Sequence, residues 1–505
     1  MTQADIIIIG SGMGGAMIAS SLAPSGARIL ILERGERLAP SPQDRDADAI
    51  FRTGHFRDQE QWHDGADKPF SPGNYYMVGG NSKFYGAALI RYRAEDFRPI
   101  AHLGGTTPGW PISYDTLEPY YAQAETLFEV RGRTGEDPTE PWRSAPYPQP
   151  AIADEPDIAR FRQALAAQGL NPSAIPLAVD LDRWAEGGKT TWDGHPGTNG
   201  GKRDGEHALD TALAHLNVEL RTGTRVTRLR AGADGTVNVV EAIGRDGPVR
   251  LTARIVILAA GAVQSAALLL RSADEARPTG LANRSDQVGR NFMNHNCSAV
   301  LGLHPFRRNR AIYQKTLMLN DFYLEGGPQN APLGNVQMLG KITGPILAAT
   351  SGLPRPLAYW IAARSLDVYV MSEDLPNPES RVTLRGDGIR LNWQRSNMRA
   401  HAALVAKVRT VLRRAGCPIT LAKAFDRRTP SHQCGTARMG DDPATSVTDP
   451  LGRCHDHPNL FIADASLLPT SAAVNPALTV AALALRSGQH IRDTILRDAS
   501  VVAPA

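Results

Sequence analysis

The chain opens on an uninterrupted apolar run, Ile6 to Ile9, then the glycine-rich GSGMGG, then AMIASSLAPSGA, whose small and apolar residues suit a helix. A second apolar run, ILILERG, follows and ends at Glu33. Short continuous β-branched runs match parallel strands buried on both faces, so the pattern predicts strand, helix, strand. Ile255 to Leu258 repeats the arrangement, with Ala-Ala-Gly leading into the apolar helix AVQSAALLLRS.

Between these units the pattern changes. Residues 36 to 76 are polar and turn-rich and read as an excursion across the surface. A helix-start signal lies at Ser113 to Asp115, with Leu117, Tyr120, Tyr121 and Ala124 at helical spacing behind it. Residues 132 to 205 read as loops carrying one helix, about Asp157 to Gln168; His195 and His207 are expected there as surface residues. LDTALAHL reads as a helix, and VELRTGTRVTRLRAG and VNVVEAIGRDG alternate like hairpin strands. Residues 297 to 400 alternate again, which predicts a mainly antiparallel sheet, and AHAALVAKVRTVLRRAG returns the chain to a helix. In the tail, a short buried strand ends in Asp464, and a polar loop delivers Asn475 to an apolar helix. Asn475 suits the N-cap and Pro476 the first helical position.

The expected fold class is α/β: a Rossmann-like nucleotide domain assembled from residues 1–90, 205–296 and 430–505, and a second domain from 91–204 and 297–429. A chain of 505 residues is too long for one ordinary core, which agrees with two domains. Hydrophobic content of 42% and a formal charge of only +4 describe a globular protein without a basic stripe, which argues against a nucleic-acid partner. The four cysteines form no C-x-x-C pair, so neither a zinc knuckle nor a redox dithiol is expected. No apolar run reaches the length of a membrane span and no charged n-region precedes Ile6, so the expected location is the cytoplasm.

Three stretches carry candidate chemistry. Gly10, Gly12 and Gly15 have G-x-G-x-x-G spacing inside strand–turn–helix–strand. In that context Gly10 permits the tight turn, Gly12 lets backbone approach a pyrophosphate, and Gly15 lets helix and strand pack closely. The helix N-terminus beginning at Met13 supplies free N–H groups to phosphate, and Glu33, followed by Arg34, can accept from a ribose diol. In VGGNSKF, Gly79 and Gly80 allow close backbone approach while Asn81 and Ser82 supply short polar groups. In the tail, His432 has the right chemistry for a base near neutral pH, since an ordinary imidazole titrates at about 6.5. Asn475 can orient the oxygen from which a proton is removed, although a turn histidine and an N-cap asparagine account for the same residues. His455 and His457 lack the spacing of a metal site, so no metal is expected. Cys434 lacks the electropositive surroundings of a reactive thiol.

Taken together, IIIIGSGMGGAMIA with LERG, VGGNSKFYGAAL, WPISYDTLEPYYAQAE, VILAAGAVQSAALLLRS, VGRNFMNH, HQCGTARMG and NLFIADASLLPTSAAVNPALT resemble, in order, the glucose–methanol–choline (GMC) flavoprotein oxidoreductases. The tail resembles bacterial sugar and sugar-acid dehydrogenases and pyranose-oxidase-like members. The resemblance implies FAD with its pyrophosphate at Gly10 to Gly15 and its ribose at Glu33, and adenine at Val226. Gly79, Gly80, Asn81 and Ser82 would lie along the pyrophosphate and flavin, with Ala260 and Gly261 in the second strand–glycine–helix crossing. Asp464 and Ala465 would hold the ribityl and pyrophosphate portion. Asn475, Pro476 and Thr479 would approach the flavin pyrimidine. His432 corresponds to the family's catalytic histidine and Asn475 to the second active-site position. Where some relatives attach flavin covalently through a histidine, this chain has Phe84, so non-covalent FAD is implied. The implied reaction oxidises a CH–OH group of a sugar, glycoside or related alcohol by hydride transfer to flavin, with oxygen, a quinone or a redox protein as acceptor. The alternatives are a lyase or isomerase of the same fold and an oxidase of aromatic or aliphatic alcohols.

Overall fold

The computed structural model describes residues 2–186, 192–429 and 432–496. The two apolar runs of the N-terminus form adjacent parallel strands, Thr2–Ile9 and Ile29–Leu32. Ile6 to Ile8 are fully buried in one apolar core with Met17 and Ile18 of the following helix. The sheet has seven strands. Val218–Arg221, Ile29–Leu32, Thr2–Ile9, Gly247–Leu258 and Leu460–Ile462 are its parallel members, and Val237–Gly244 and Arg225–Ala231 extend it antiparallel. This corrects one expectation. Arg225–Ala231 and Val237–Gly244 form the expected hairpin, but Val218–Arg221 is a separate strand that runs parallel to Ile29–Leu32 at the opposite edge. Alternation alone does not distinguish the two pairings.

The glycine turn works as its spacing implies, with one addition. Gly10 has φ +102°, which only glycine adopts readily. A Cβ on Gly15 would sit 2.0 Å from Gly10 O, and one on Gly14 would sit 1.7 Å from Ala463 O. Gly14 therefore lets the first helix, Met13–Leu22, lie against the chain entering Asp464.

The second sheet is antiparallel throughout and has six strands. Their order is Ile419–Ala424, Asn296–Leu303, Ser365–Ser372, Asn335–Met338, Leu317–Leu319 and Ser173–Ala174. Alternation sorts its side chains. Val300, Val336, Met338, Val368 and Val370 pack with the helices Pro156–Ala166 and Met398–Arg414. Leu301, Gln337 and Tyr369 line the cavity that opens on the Rossmann sheet.

Helix Tyr114–Leu127 starts where expected, with Ser113 Oγ accepting from Thr116 N. It packs on the last helix, Ala477–His490. Beneath it, Arg91 is 2% exposed and bonds to Glu118, Glu125 and Tyr114. His195 is buried rather than on the surface; its Nδ1 lies 3.1 Å from Asp44 O. Burial pushes it down to about 3, so it stays neutral. Among the described residues, no helix is long and apolar enough to cross a membrane.

Gly14 and Gly12, one crowded and one open, make a paired test. Gly14→Ala should cost about 1–3 kcal/mol of stability through backbone overpacking, lowering the midpoint of thermal unfolding. In the FAD-free protein, Gly12→Ala, whose Cβ meets nothing within 4 Å, should shift it little.

Candidate active site

The carboxyl ends of the parallel strands open onto a cavity of about 1700 Å³ that continues under the antiparallel sheet. A ligand site is expected at this end of such a sheet. Gly10, Gly12, Met13, Glu33, Arg34, Gly80, Asn81, Ser82, Val226, Ala260, Gly261, Asp464, Ala465, Asn475, Pro476 and His432 all line it. Gly15, Gly79 and Thr479 do not reach its wall. Gly15 is held against Gly10, and Gly79 turns the chain at φ +85°. Thr479 is fully buried behind the wall, its Oγ1 2.8 Å from the Tyr121 hydroxyl, where it joins two helices.

Several groups suit a dinucleotide. The first helix begins at Met13 with Gly12 at its N-cap and no side-chain cap, so its first N–H groups are free for phosphate. Open space beside Gly12 gives that approach. The Glu33 carboxylate accepts from Ser11 N, Ser11 Oγ and Gly35 N, which fixes its orientation at the end of the second strand. Arg34 lies 3.8 Å over the Tyr76 ring at the same end. Asp464 acts as a brace. Its Oδ2 takes Gly261 N and Ser265 Oγ, and its Oδ1 takes Ser466 N and Oγ, so one buried carboxylate ties two chain crossings together. Burial pushes that carboxyl above its usual range. Ser82 is also occupied, donating to Gly79 O and accepting from Gly205 N.

At the far end of the cavity His432 stands between two partners. Its Nδ1 lies 2.7 Å from His295 Nδ1, and its Nε2 lies 3.3 Å from Asn475 Nδ2. His295 Nε2 lies 2.9 Å from both Ser471 O and Ala472 O. Carbonyls only accept, so His295 Nε2 carries a proton, and burial keeps that ring from taking a second. His295 Nδ1 is then an acceptor, His432 Nδ1–H donates to it, and His432 Nε2 is unprotonated, its lone pair facing Asn475 Nδ2. Burial first, then His295 and the Lys315 cation, hold His432 well below an ordinary imidazole. The backbone of His432 is left-handed at φ +40°, and Ala472 has φ +53°. Such strain in non-glycine residues persists only where surrounding contacts enforce it. Here Glu373 Oε1 accepts from Ala472 N, and the Tyr92 hydroxyl donates to Ser471 O.

Asn475 is not the helix cap. The helix runs Ala477–His490 with Pro476 at its N-cap, and the Asn475 amide turns into the cavity toward His432 and Gln337. His455 and His457 serve local structure: His455 Nε2 meets Ser446 Oγ, and His457 spans Gly235 O and Ala282 N. Among the described residues no cluster of His, Cys, Asp and Glu could hold a metal ion. Burial pushes the Cys434 thiol well up, which suits a packed side chain.

Three groups of this site carried no assigned role in the sequence. His295 lies in VGRNFMNH, a stretch with family character but no obvious chemistry. Gln337 sits on a strand whose signal is a buried N-x-Q alternating with V-x-M. Lys315 is 3% exposed and paired with Asp193 at 2.9 Å; only folding makes that pair visible. Beyond them the cavity wall turns apolar, with Leu339, Ile342, Ile346, Leu347 and Phe425.

Comparison with known proteins identifies the family. Residues 71–297 and 376–484 match two family models described as GMC oxidoreductase, and residues 8–55 match an NAD(P)-binding Rossmann-like domain. Paromamine 6'-oxidase of Streptomyces fradiae is 32% identical, covering 96% of this chain and 91% of its own. The fructose dehydrogenase large subunit of Gluconobacter japonicus is 27% identical over 98% of both. A crystal structure of pyridoxine 4-oxidase from Mesorbium loti superposes with a TM-score of 0.69, at 20% identity, covering 96% of this chain and 99% of that one, which is a likeness of fold. With its glycine turn, its second crossing and its His432 site in one cavity, the chain belongs to the GMC oxidoreductase family.

Proposed function

We propose that this protein oxidises a CH–OH group of a sugar, glycoside or related alcohol to a carbonyl, using non-covalent FAD. One observation carries the reading: a neutral His432 whose Nε2 lone pair faces the cavity beside an oriented amide. Family membership implies a flavin, and relatives named as paromamine 6'-oxidase and fructose dehydrogenase support an alcohol or sugar donor. Bound flavin supplies a two-electron acceptor for hydride. The dinucleotide would be held by the first-helix N–H groups, Glu33 and Val226, with its flavin end toward Ala465, Asn475 and Pro476.

The protein's own groups handle the proton. Loss of hydride from carbon leaves a carbonyl only if the hydroxyl proton departs as well, and His432 Nε2 accepts it. Asn475 Nδ2 offers a hydrogen bond to the same oxygen and holds it toward the base. The neighbouring Lys315 stabilises negative charge building on that oxygen. Phe84 supports non-covalent binding, since its ring stacks on Tyr75 at 3.8 Å and has no nucleophilic atom.

The apolar outer wall favours a second reading of the substrate, an aromatic or aliphatic alcohol. Anaerobic flavin bleaching across glycosides, sugars and benzylic alcohols ranks the two; repeating the best donor with oxygen and with a quinone identifies the acceptor.

Two outcomes are expected. Purified protein should be yellow, acid precipitation should release its flavin as FAD, and an alcohol should bleach it without oxygen. A colourless protein that FAD cannot reconstitute contradicts the proposal. The pH profile has a definite sign. His432 works unprotonated and its folded pKa lies well below 6.5, so activity is lost only as pH falls through that lower value. The anaerobic reduction rate should be flat from about pH 6 to 8 as regards this group. A loss centred at or above 6.5 would overturn the assignment.

A further inference from the structure

Asn475 would be a poor guide for a base if its amide could turn over, because the flipped amide presents Oδ1 to His432 and demands a proton on Nε2. A file of buried amides prevents this. Asp137, a carboxylate paired with Arg93, accepts from Asn320 Nδ2 at 2.7 Å. Asn320 Oδ1 accepts from Asn335 Nδ2 at 2.7 Å, and Asn335 Oδ1 from Gln337 Nε2 at 3.0 Å. The second proton on Gln337 Nε2 goes to Asn475 Oδ1 at 2.9 Å. Asn320, Asn335 and Gln337 are each no more than 2% exposed.

The direction of every bond follows from the two ends. Asp137 only accepts, so each amide from Asn320 to Gln337 points its nitrogen toward Asp137. At the other end the carbonyls of Ser471 and Ala472 only accept, which leaves His432 Nε2 as an acceptor. Gln337 is the one donor that faces both ways. Its place on the Asn335–Met338 strand explains how: residues 335 and 337 share the cavity face, while Val336 and Met338 face the helices. The amide nitrogens are bonded in one consistent sense, so reversing one reverses its neighbours, while Gln337 Oε1 is buried without a protein partner among the described residues.

We propose that Gln337 is a positioning residue that, through this amide file anchored on Asp137, locks the Asn475 amide with its Nδ2 toward the unprotonated His432 Nε2 that the His295 contact leaves. The inference rests on His432 being the base.

The test uses full-length flavin-loaded protein with 15N-labelled histidine rings, the His432 signals being assigned by their absence in His432→Ala. Wild type should show His432 protonated at Nδ1 and bare at Nε2. Gln337→Met keeps the length and removes both donations. It should leave the Nδ1 proton in place, shift the Nε2 signal as the Asn475 hydrogen bond loosens, and cost about tenfold in the limiting rate of anaerobic flavin reduction, with KM little changed. Gln337→Glu keeps the shape but offers two acceptors, so Asn475 should flip and turn its Oδ1 on the Nε2 lone pair, shifting the Nε2 signal in the opposite sense, and the loss should reach about a hundredfold. Glutamate serves as the second variant if methionine does not fold. Wild-type ring shifts and rates in a folded Gln337 variant would overturn the inference. His432→Ala separates the two claims. If it reduces flavin normally, the base assignment fails; if it alone loses activity, only the role of Gln337 fails.

Discussion

Two backbone carbonyls set the protonation of this site. Ser471 O and Ala472 O both face His295 Nε2, and from that contact the tautomers of two histidines follow. The carbonyls point there because the loop carrying them is held in a left-handed turn at Ala472 by Glu373, Tyr92 and Tyr323. The proposed base thus depends on hydrogen bonds made on its far side. Burial adds to the effect, because a second charge in this pocket would lie beside Lys315 and go without water.

The fold brings distant stretches to that point with few strong contacts. Asp464 joins the end of one parallel strand to the start of the helix after another. Tyr121 and Thr479 lock the last helix to the helix Tyr114–Leu127. The antiparallel sheet then closes the cavity from above and contributes Gln337 and Tyr369 through strict alternation. The end of the cavity proposed for the cofactor is built from backbone and small side chains, whereas the end carrying the proposed chemistry is built from side chains on several separate segments.

That difference explains what could be read from sequence. The Gly10 turn and the Gly15 packing are legible because backbone geometry admits few alternatives there. The strands Thr2–Ile9 and Ile29–Leu32 were equally plain from their unbroken apolar runs. His432 and Asn475 were legible as a pair of suitable types, but Asn475 fitted the rules for a helix cap just as well; only the helix starting at Ala477 separates the two. Val218–Arg221 was misread because alternation does not encode strand direction. His295, Gln337 and the Lys315–Asp193 pair were not legible, since each acts through a partner distant in sequence. Thr479 had the right place in the motif but faces Tyr121 instead of the cavity.

The central claim is that the imidazole at position 432 removes the hydroxyl proton. Its most direct test is chemical rescue of His432→Ala in anaerobic flavin reduction. The account predicts that the variant binds flavin, loses about a hundredfold or more in rate, and recovers part of it with added imidazole in proportion to the unprotonated form. A variant that reduces flavin at the wild-type rate, with no response to imidazole, would contradict it.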